Sequence, residues 1–163
     1  MEEASKSQKK KILLIDDEED FCFFVKLNLE NTGKFEVLTT TSGSKGIILA
    51  SKEQPDLILL DIIMPEISGG QVAEHLLESP KTKDIPVLFI TAIASRRKVQ
   101  AQEGIIGGRQ FLAKPVTPEE IMAKINEVLE RGNMNYPAAS CGVSKTARNE
   151  ASFGEYDPER FKL

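Results

Sequence analysis

The sequence has few of the residues that build metal clusters or disulfide frameworks. Its 163 residues include two cysteines, Cys22 and Cys141, and a single histidine, His75. The cysteines lie far apart in the sequence, and one histidine with two distant cysteines does not give the ligand spacing typical of a zinc site. We therefore expect neither a zinc cluster nor a disulfide framework, and we expect reduced thiols.

Long apolar runs and an excess of basic charge are also missing. No stretch approaches the roughly 18 consecutive apolar residues of a membrane span, and the polar N-terminus MEEASKSQKKK lacks the apolar segment of a secretory signal. The 25 acidic residues outnumber the 21 basic ones, and the net charge is −4. Such a charge disfavours binding to nucleic acid or to an anionic membrane. We expect a cytoplasmic protein that binds neither directly.

Short apolar runs alternate with helical patterns from about residue 10 to residue 131. The predicted strands cover residues 11–15, 35–39, 57–60, 86–90 and 110–113. The predicted helices that follow them cover residues 18–31, 42–53, 71–78, 95–103 and 117–131. Five strand–helix repeats imply a parallel sheet with helices on both faces and right-handed crossovers.

Several residues mark where these helices begin and end. Ser42 is placed to cap the second helix, and Gly33 to stop the first. Thr117, Pro118 and Glu120 form the sequence pattern of a capping box at the start of the last helix. The first helix is predicted to bury an apolar face made of Phe21, Cys22, Phe24, Val25, Leu27 and Leu29.

The two ends of the chain lack this periodicity. Residues 1–10 are predicted to be a disordered lead-in, because they are charged and have no apolar pattern. Residues 132–163 carry four aromatic residues and balanced charge, and two interpretations remain open. This C-terminal tail is either a flexible segment or a segment that docks on its own domain or on a partner.

Polar residues directly follow four of the predicted strands. Asp16 and Asp17 follow the first strand, Asp61 the third, Thr91 the fourth and Lys114 the fifth. In an open α/β sheet, ligands bind at the carboxyl ends of the strands. Clustered carboxylates repel one another unless a cation joins them, and Mg²⁺ or Mn²⁺ suits oxygen ligands. With a lysine and a hydroxyl nearby, the set is suited to phosphoryl transfer.

The segments ILLIDDEED, LILLDIIMPEISGG, LFITA and FLAKP resemble those of the response-regulator receiver domain of two-component signalling. The resemblance covers residues 10–131, with the four segments in the family's order and spacing. It implies a flavodoxin-like doubly wound (βα)5 fold, a three-layer sandwich with parallel strand order 2-1-3-4-5. The chain would then be a phosphorylation switch and not a classical enzyme, since it would catalyse only its own phosphorylation and dephosphorylation.

The resemblance also implies a role for each residue at this edge. Asp61 would accept a phosphoryl group from a histidine kinase or a phosphotransfer protein. Asp16, Asp17 and Asp61 would bind Mg²⁺ together with the main-chain carbonyl of Ile63. Thr91 and Lys114 would contact the phosphoryl group, and the Lys114–Pro115 peptide would be cis.

The resemblance further implies how the signal would leave the domain. Phe111 would be the switch aromatic, which turns inward when Thr91 moves, and Gly69 the turn glycine of the loop after Asp61. A downstream protein would bind the face that the family builds from its fourth helix, fifth strand and fifth helix, predicted here at residues 95–103, 110–113 and 117–131.

Three departures from the family pattern stand out. Ser68 replaces an acidic residue, and Phe111 replaces a tyrosine, so the switch ring has no hydroxyl. Ile63 and Ile93 occupy the two positions that flank the path of the hydrolytic water in this family. Their apolar side chains predict slow autodephosphorylation and a long-lived phosphoryl group.

Two alternative functions remain open from the sequence. A phosphatase of the haloacid-dehalogenase type also uses a strand-end aspartate, but it requires Asp-x-Asp after the first strand, and the run Asp-Asp-Glu-Glu at 16–19 does not supply the usual pattern. A phosphate-independent interaction module with the receiver fold is the second alternative, and the complete set of site residues argues against it.

Overall fold

The computed structural model describes residues 8–92, 105–106 and 109–132. All of them belong to the first of two compact units, Met1–Asn133. Most of the predicted lead-in, the helix predicted at 95–103, and the tail at 133–163 lie outside the described residues. Within the described ranges, every helix is too short or too polar to cross a membrane.

The described strands form one sheet: β1 (Lys10–Ile15), β2 (Phe35–Thr40), β3 (Leu57–Asp61), β4 (Val87–Thr91), β5 (Ile105–Ile106) and β6 (Arg109–Ala113). Their spatial order is β2-β1-β3-β4-β6-β5. The five longer strands pair in parallel, β1 with both β2 and β3, and β4 with both β3 and β6. The predicted order 2-1-3-4-5 is therefore confirmed, with β6 as the predicted fifth strand.

The short strand β5 was not predicted. It pairs antiparallel with the start of β6, where Ile106 lies opposite Arg109. The sequence between these two residues is Gly107-Gly108, a pair that favours a two-residue hairpin. The sequence thus contained a signal for this strand, which an interpretation as five strand–helix repeats leaves out.

The described helices are α1 (Glu19–Asn31), α2 (Gly43–Glu53), α3 (Gly69–Glu78) and α4 (Pro118–Gly132). The predicted caps are confirmed. The Ser42 hydroxyl accepts a hydrogen bond from the Lys45 N–H, and Thr117 and Glu120 each bond the backbone N–H of the other. Gly33 follows α1 with a φ of +73°, a backbone conformation that favours glycine.

Helix α3 begins two residues earlier than predicted, at Gly69. Ser68 and Gln71 form a capping box there, which extends the helix into the predicted loop. A methyl group on Gly69 would fall on the Asp61 carbonyl oxygen and 2.8 Å from Cα of Ile62. Only glycine allows α3 to approach the end of β3 so closely, and this contact fixes the backbone beside Asp61.

The apolar core lies on both faces of the sheet, because successive strand residues point to opposite faces. Leu57 and Leu59 belong to a cluster on the face covered by α1 and α4. Ile58 and Leu60 belong to a second cluster, on the face covered by α2 and α3. The continuous apolar runs read from the sequence are thus strands buried on both faces, as predicted.

The predicted apolar face of α1 was too wide. Cys22, Val25 and Leu29 are buried, whereas Phe24 is 43% exposed and Leu27 48% exposed. Each helical residue turns by about 100°, so Phe24 and Leu27 lie about 100° and 200° round the helix from Val25. The stripe that packs on the sheet is therefore narrower than the apolar composition of the helix suggested.

Candidate functional site at the carboxyl edge of the sheet

Four of the predicted site residues lie at the carboxyl ends of strands that are neighbours in the sheet. Asp16 follows β1, Asp61 ends β3, Thr91 ends β4 and Lys114 follows β6. The ammonium Nζ of Lys114 is 2.8 Å from Oδ2 of Asp16 and 3.8 Å from Oδ2 of Asp61. The parallel topology thus brings together side chains that are up to 98 positions apart in the sequence.

Asp16 is completely buried. Its Oδ1 accepts a hydrogen bond from the backbone N–H of Glu18 at 2.9 Å, and its Oδ2 accepts one from Lys114. Burial raises the pKa of the Asp16 carboxyl above its ordinary value, although these hydrogen bonds oppose the rise. The thiol of Cys22 donates to the Asp16 carbonyl at 3.3 Å, which ties this residue to α1.

Asp61 is 5% exposed and forms only a long contact with Lys114. Its Oδ1 accepts a hydrogen bond from the backbone N–H of Ile63 at 3.4 Å. Burial, and then the negative charge of Asp16, raises the pKa of Asp61 to about 6, while the positive charge of Lys114 opposes the rise. Asp61 is thus a carboxylate whose charge is incompletely compensated, and a nearby cation would stabilise it.

Lys114 lies at the centre of the site. Its ammonium contacts Asp16 and also Oε1 of Glu18, the latter at 2.7 Å, and it lies 4.2 Å from the centroid of the Phe21 ring. Burial alone would lower the pKa of Lys114, but the hydrogen bonds to the two carboxylates outweigh it and the pKa is raised. Lys114 therefore carries a positive charge at neutral pH.

The backbone around Lys114 is fixed by its neighbours. The N–H of Lys114 donates to the carbonyl of Thr91 at 2.9 Å, which joins the ends of β4 and β6. The Lys114–Pro115 peptide is cis, as the family resemblance implied.

Glu18 is the site residue that the sequence reasoning missed. In the described part of the chain, the carboxylates close enough to share a cation are those of Asp16, Glu18 and Asp61, whose ligand atoms lie within 4.8 Å of one another. Asp17 is exposed and outside this group, so its role as a metal ligand stays a prediction. Glu18 belongs to the run of five acids at 16–20, and nothing in that run distinguishes it from its neighbours.

Thr91 and Phe111, the two residues of the predicted switch, are both buried. Thr91 is 1% exposed at the last position of β4. Phe111 is 4% exposed, and its ring stacks on that of Phe89 with centroids 5.0 Å apart and an interplanar angle of 20°. The structure places Phe111 in the core under the edge, and its role as a switch stays a prediction.

The donor set fits a hard divalent cation. Two buried carboxylates with raised pKa values, Asp16 and Asp61, offer oxygen atoms that lie within 4.8 Å of each other. Mg²⁺ and Mn²⁺ prefer such ligands, and a cation would relieve the repulsion between Asp16 and Asp61. The main-chain carbonyl of Ile63, the further ligand implied by the family, belongs to the loop that directly follows β3.

An open cavity of about 400 Å³ adjoins Lys114. Phe21, Phe24, Pro115 and Val116 form its apolar wall, and Glu18 lies at its polar end. The partly buried ring of Phe21 and the more exposed ring of Phe24 therefore border the charged site, which is open to solvent on this side.

Comparison with known proteins agrees with this geometry. Residues 12–126 match the family model of the response regulator receiver domain. The DNA-binding dual master transcriptional regulator RpaA of Synechocystis sp. is 38% identical over 122 residues, which are 74% of this chain and 49% of RpaA. Protein PilH of Pseudomonas aeruginosa is 35% identical over 123 residues, which are 73% of this chain and 97% of PilH.

Solved structures show the same fold. The chemotaxis response regulator CheY4 of Vibrio cholerae superposes with a TM-score of 0.64 at 26% identity, covering 74% of this chain and 99% of CheY4. The chain spans about half the length of RpaA and of other transcriptional regulators that it matches. The general mechanism of the matched family is phosphorylation of an aspartate. The chain therefore belongs to the response regulator receiver family.

Proposed function

We propose that Asp61 is the phosphoacceptor of this receiver domain and takes its phosphoryl group from a histidine kinase or a phosphotransfer protein. The observation that carries the proposal is the position of Asp61, buried at the end of β3 with Asp16 and the ammonium of Lys114 beside it. A carboxylate with a pKa of about 6 is mostly ionised at neutral pH and can act as a nucleophile.

The proposed step is an in-line displacement at phosphorus. A carboxylate oxygen of Asp61 forms the new P–O bond while the P–N bond of a phosphohistidine breaks and its electron pair returns to the imidazole. Lys114 supplies positive charge for the phosphoryl oxygens, and the hydroxyl of Thr91 would donate a hydrogen bond to one of them. Hydrolysis by water would restore the carboxylate, so the chain would catalyse only its own phosphorylation and dephosphorylation.

We expect Mg²⁺, or Mn²⁺ in its place, to be required. Asp16 and Asp61 would hold it, with Asp17 and the carbonyl of Ile63 as the further predicted ligands. When bound, the cation supplies positive charge that offsets the charge developing on the phosphoryl group. Asp16 and Asp61 would otherwise repel both each other and the incoming anion.

The output would be a change of protein-binding surface. Thr91 and Phe111 would transmit the charge change at Asp61 to the output face predicted from residues 95–103, β6 and α4, where a downstream protein would bind. The location in the cytoplasm and the absence of direct binding to nucleic acid stay predictions from the sequence.

The test is the intact mass of the folded chain after incubation with Mg²⁺ and acetyl phosphate. We expect one added phosphoryl group on the wild type, none on Asp61→Ala, and a normal adduct on Asp20→Ala, a matched change at an exposed aspartate of α1.

Two results would contradict the proposal. One is an adduct that persists in Asp61→Ala. The other is a wild type that binds Mg²⁺ yet accepts no phosphoryl group from acetyl phosphate or from a phosphohistidine protein. The second result would favour a phosphate-independent interaction module.

A further inference from the structure

The ammonium of Lys114 is closer to two other carboxylates than to Asp61. It lies 2.7 Å from Oε1 of Glu18 and 2.8 Å from Oδ2 of Asp16, but 3.8 Å from Oδ2 of Asp61. Lys114 is thus hydrogen-bonded away from the residue proposed to carry the phosphoryl group, and Glu18 and Asp16 compete with Asp61 for it.

The position of Glu18 at the start of α1 favours its contact with Lys114. Its side chain does not cap α1, although it occupies the N-cap position. Its backbone N–H is bonded to Oδ1 of Asp16, which fixes where its side chain starts. Phe21 follows one turn later, and residues three apart share a side of a helix, so the carboxylate and the ring both reach the ammonium. The Glu18 carboxylate and the Phe21 ring thus contact the ammonium of Lys114 together.

We propose that Glu18 is a positioning residue that, with Phe21, holds Lys114 away from Asp61 in the unphosphorylated site and so opposes the binding of an anion there. The proposal rests on the function proposed above, because it concerns the lysine that would pair with the phosphoryl group. Glu18 would act through Lys114 and would contact neither the phosphoryl group nor the cation.

A change of Glu18 to glutamine should therefore favour an anion at Asp61. The Glu18 side chain is 62% exposed, and ion pairs of such exposure are worth less than about 1 kcal/mol. We expect Glu18→Gln to bind beryllofluoride, a mimic of the phosphoryl group, about two- to fivefold more tightly than the wild type in saturating Mg²⁺. Phe21→Leu should shift binding in the same direction by a smaller factor, because the ring contact is lost.

The control for net charge is Glu19→Gln. Glu19 is the exposed next residue in the first turn of α1, and it is not among the carboxylates grouped with Asp61. A general electrostatic effect would change the beryllofluoride affinity of both variants equally, whereas release of Lys114 would change only that of Glu18→Gln.

The experiment is a calorimetric titration with beryllofluoride in the wild type, Glu18→Gln, Glu19→Gln, Lys114→Met and the double variant of Glu18 and Lys114. The inference requires that Glu18→Gln tightens binding in the wild type and has no effect when Lys114 is methionine. Affinity for Mg²⁺ alone, measured in the same proteins, should fall no more in Glu18→Gln than in Glu19→Gln.

Three results overturn the inference. The first is that Glu18→Gln binds beryllofluoride as Glu19→Gln does, and the second is that its effect persists without Lys114. The third is that it loses more Mg²⁺ affinity than Glu19→Gln, which would make Glu18 a metal ligand. In each of these cases a wild type that binds beryllofluoride leaves the proposed function intact. A wild type that binds none overturns both the proposed function and this inference.

Discussion

The interior of the sheet and its carboxyl edge are both buried, but they contribute to stability in opposite ways. In β3, Leu57–Leu60 is entirely apolar and fully buried, and the next residue, Asp61, is a carboxylate that is 5% exposed. Burying the leucines releases apolar surface from water and stabilises the fold. Burying Asp61 beside Asp16 costs free energy, as its raised pKa shows.

The apolar interior of the fold maintains the charged edge of the sheet. Two apolar clusters, one on each face of the sheet, hold the strands in register. That register places Asp61 beside Ile90, and Thr91 beside Ala113, so the polar ends of the strands meet. The charges that repel one another at the edge are therefore held together by contacts several residues away.

The largest expected effect comes from a cavity in the interior of β3. Leu59 is completely buried, and Leu59→Ala should lower the free energy of unfolding by about 3 kcal/mol, because transfer energy and packing are both lost. Urea denaturation measures the change. Leu77→Ala, at a leucine that is 57% exposed, is the control and should cost less than about 1 kcal/mol. Equal losses at the two positions would contradict the division between interior and surface.

Removing the charge of Asp61 at the edge of the sheet should instead stabilise the fold. Asp61→Asn removes a buried charge, and in EDTA at pH 7 it should raise the free energy of unfolding by about 2 kcal/mol. Because the folded pKa of about 6 exceeds the unfolded value of 3.8, the folded protein binds the proton more tightly, and wild-type stability falls as pH rises through this window. The gain in unfolding free energy from asparagine is therefore fully present at pH 7 and is lost below about pH 4.

Urea denaturation at pH 7 and pH 4 tests this difference. Asp20→Asn, the same chemical change at an exposed position of α1, is the control and should shift stability by no more than about 0.5 kcal/mol at either pH. If Asp61→Asn proved less stable than the wild type at pH 7, the claim that the edge destabilises the fold would be wrong.

The smallest expected effect concerns Ile63, a large apolar residue two positions after Asp61. Ile63 is 46% exposed, and its partner in the predicted barrier to water, Ile93, lies outside the described residues. Ile63→Asn should speed dephosphorylation of the phosphoprotein by about three- to tenfold, a fall of about 1 kcal/mol in the barrier. Loss of the phosphoryl group over time, followed by intact mass, gives the rate.

Ile48→Asn is the matched control, because this isoleucine of α2 is 66% exposed and belongs to none of the contacts of the site. A wild-type phosphoprotein with a half-life of seconds would contradict the predicted barrier. An equal acceleration of dephosphorylation in both variants would show that Ile63 does not specifically hinder the hydrolytic water.

Local features of the fold could be predicted from the sequence, because they depend on neighbouring residues. Ser42 and Thr117 were predicted as caps and Gly33 as a stop, and all three are confirmed. Errors arose where packing decides the outcome. Phe24 and Leu27 were assigned to the buried face of α1, but the sheet contacts only a narrower stripe.

In the candidate site too, local sequence predicts some features and packing decides the others. The polar residues that end the strands could be located from the sequence, because each directly follows an apolar run, and Asp16, Asp61 and Lys114 do lie together. Glu18 could not be singled out from the run of five acids at 16–20, because which of these acids reaches Lys114 depends on how α1 packs beside the end of the sheet. No pattern of neighbouring residues carries such a contact.

The sequence by itself determined the order of the five parallel strands and the four described helices, the caps, and which side chains end the strands, since all of these follow from periodicity and local chemistry. Only the tertiary structure decided which carboxylates share Lys114, that Asp17 faces solvent while Glu18 contacts the lysine, and that Gly69 must lack a side chain beside Asp61. The physical reason is that these facts depend on distances of a few ångströms between elements, which are set by how the helices pack on the sheet.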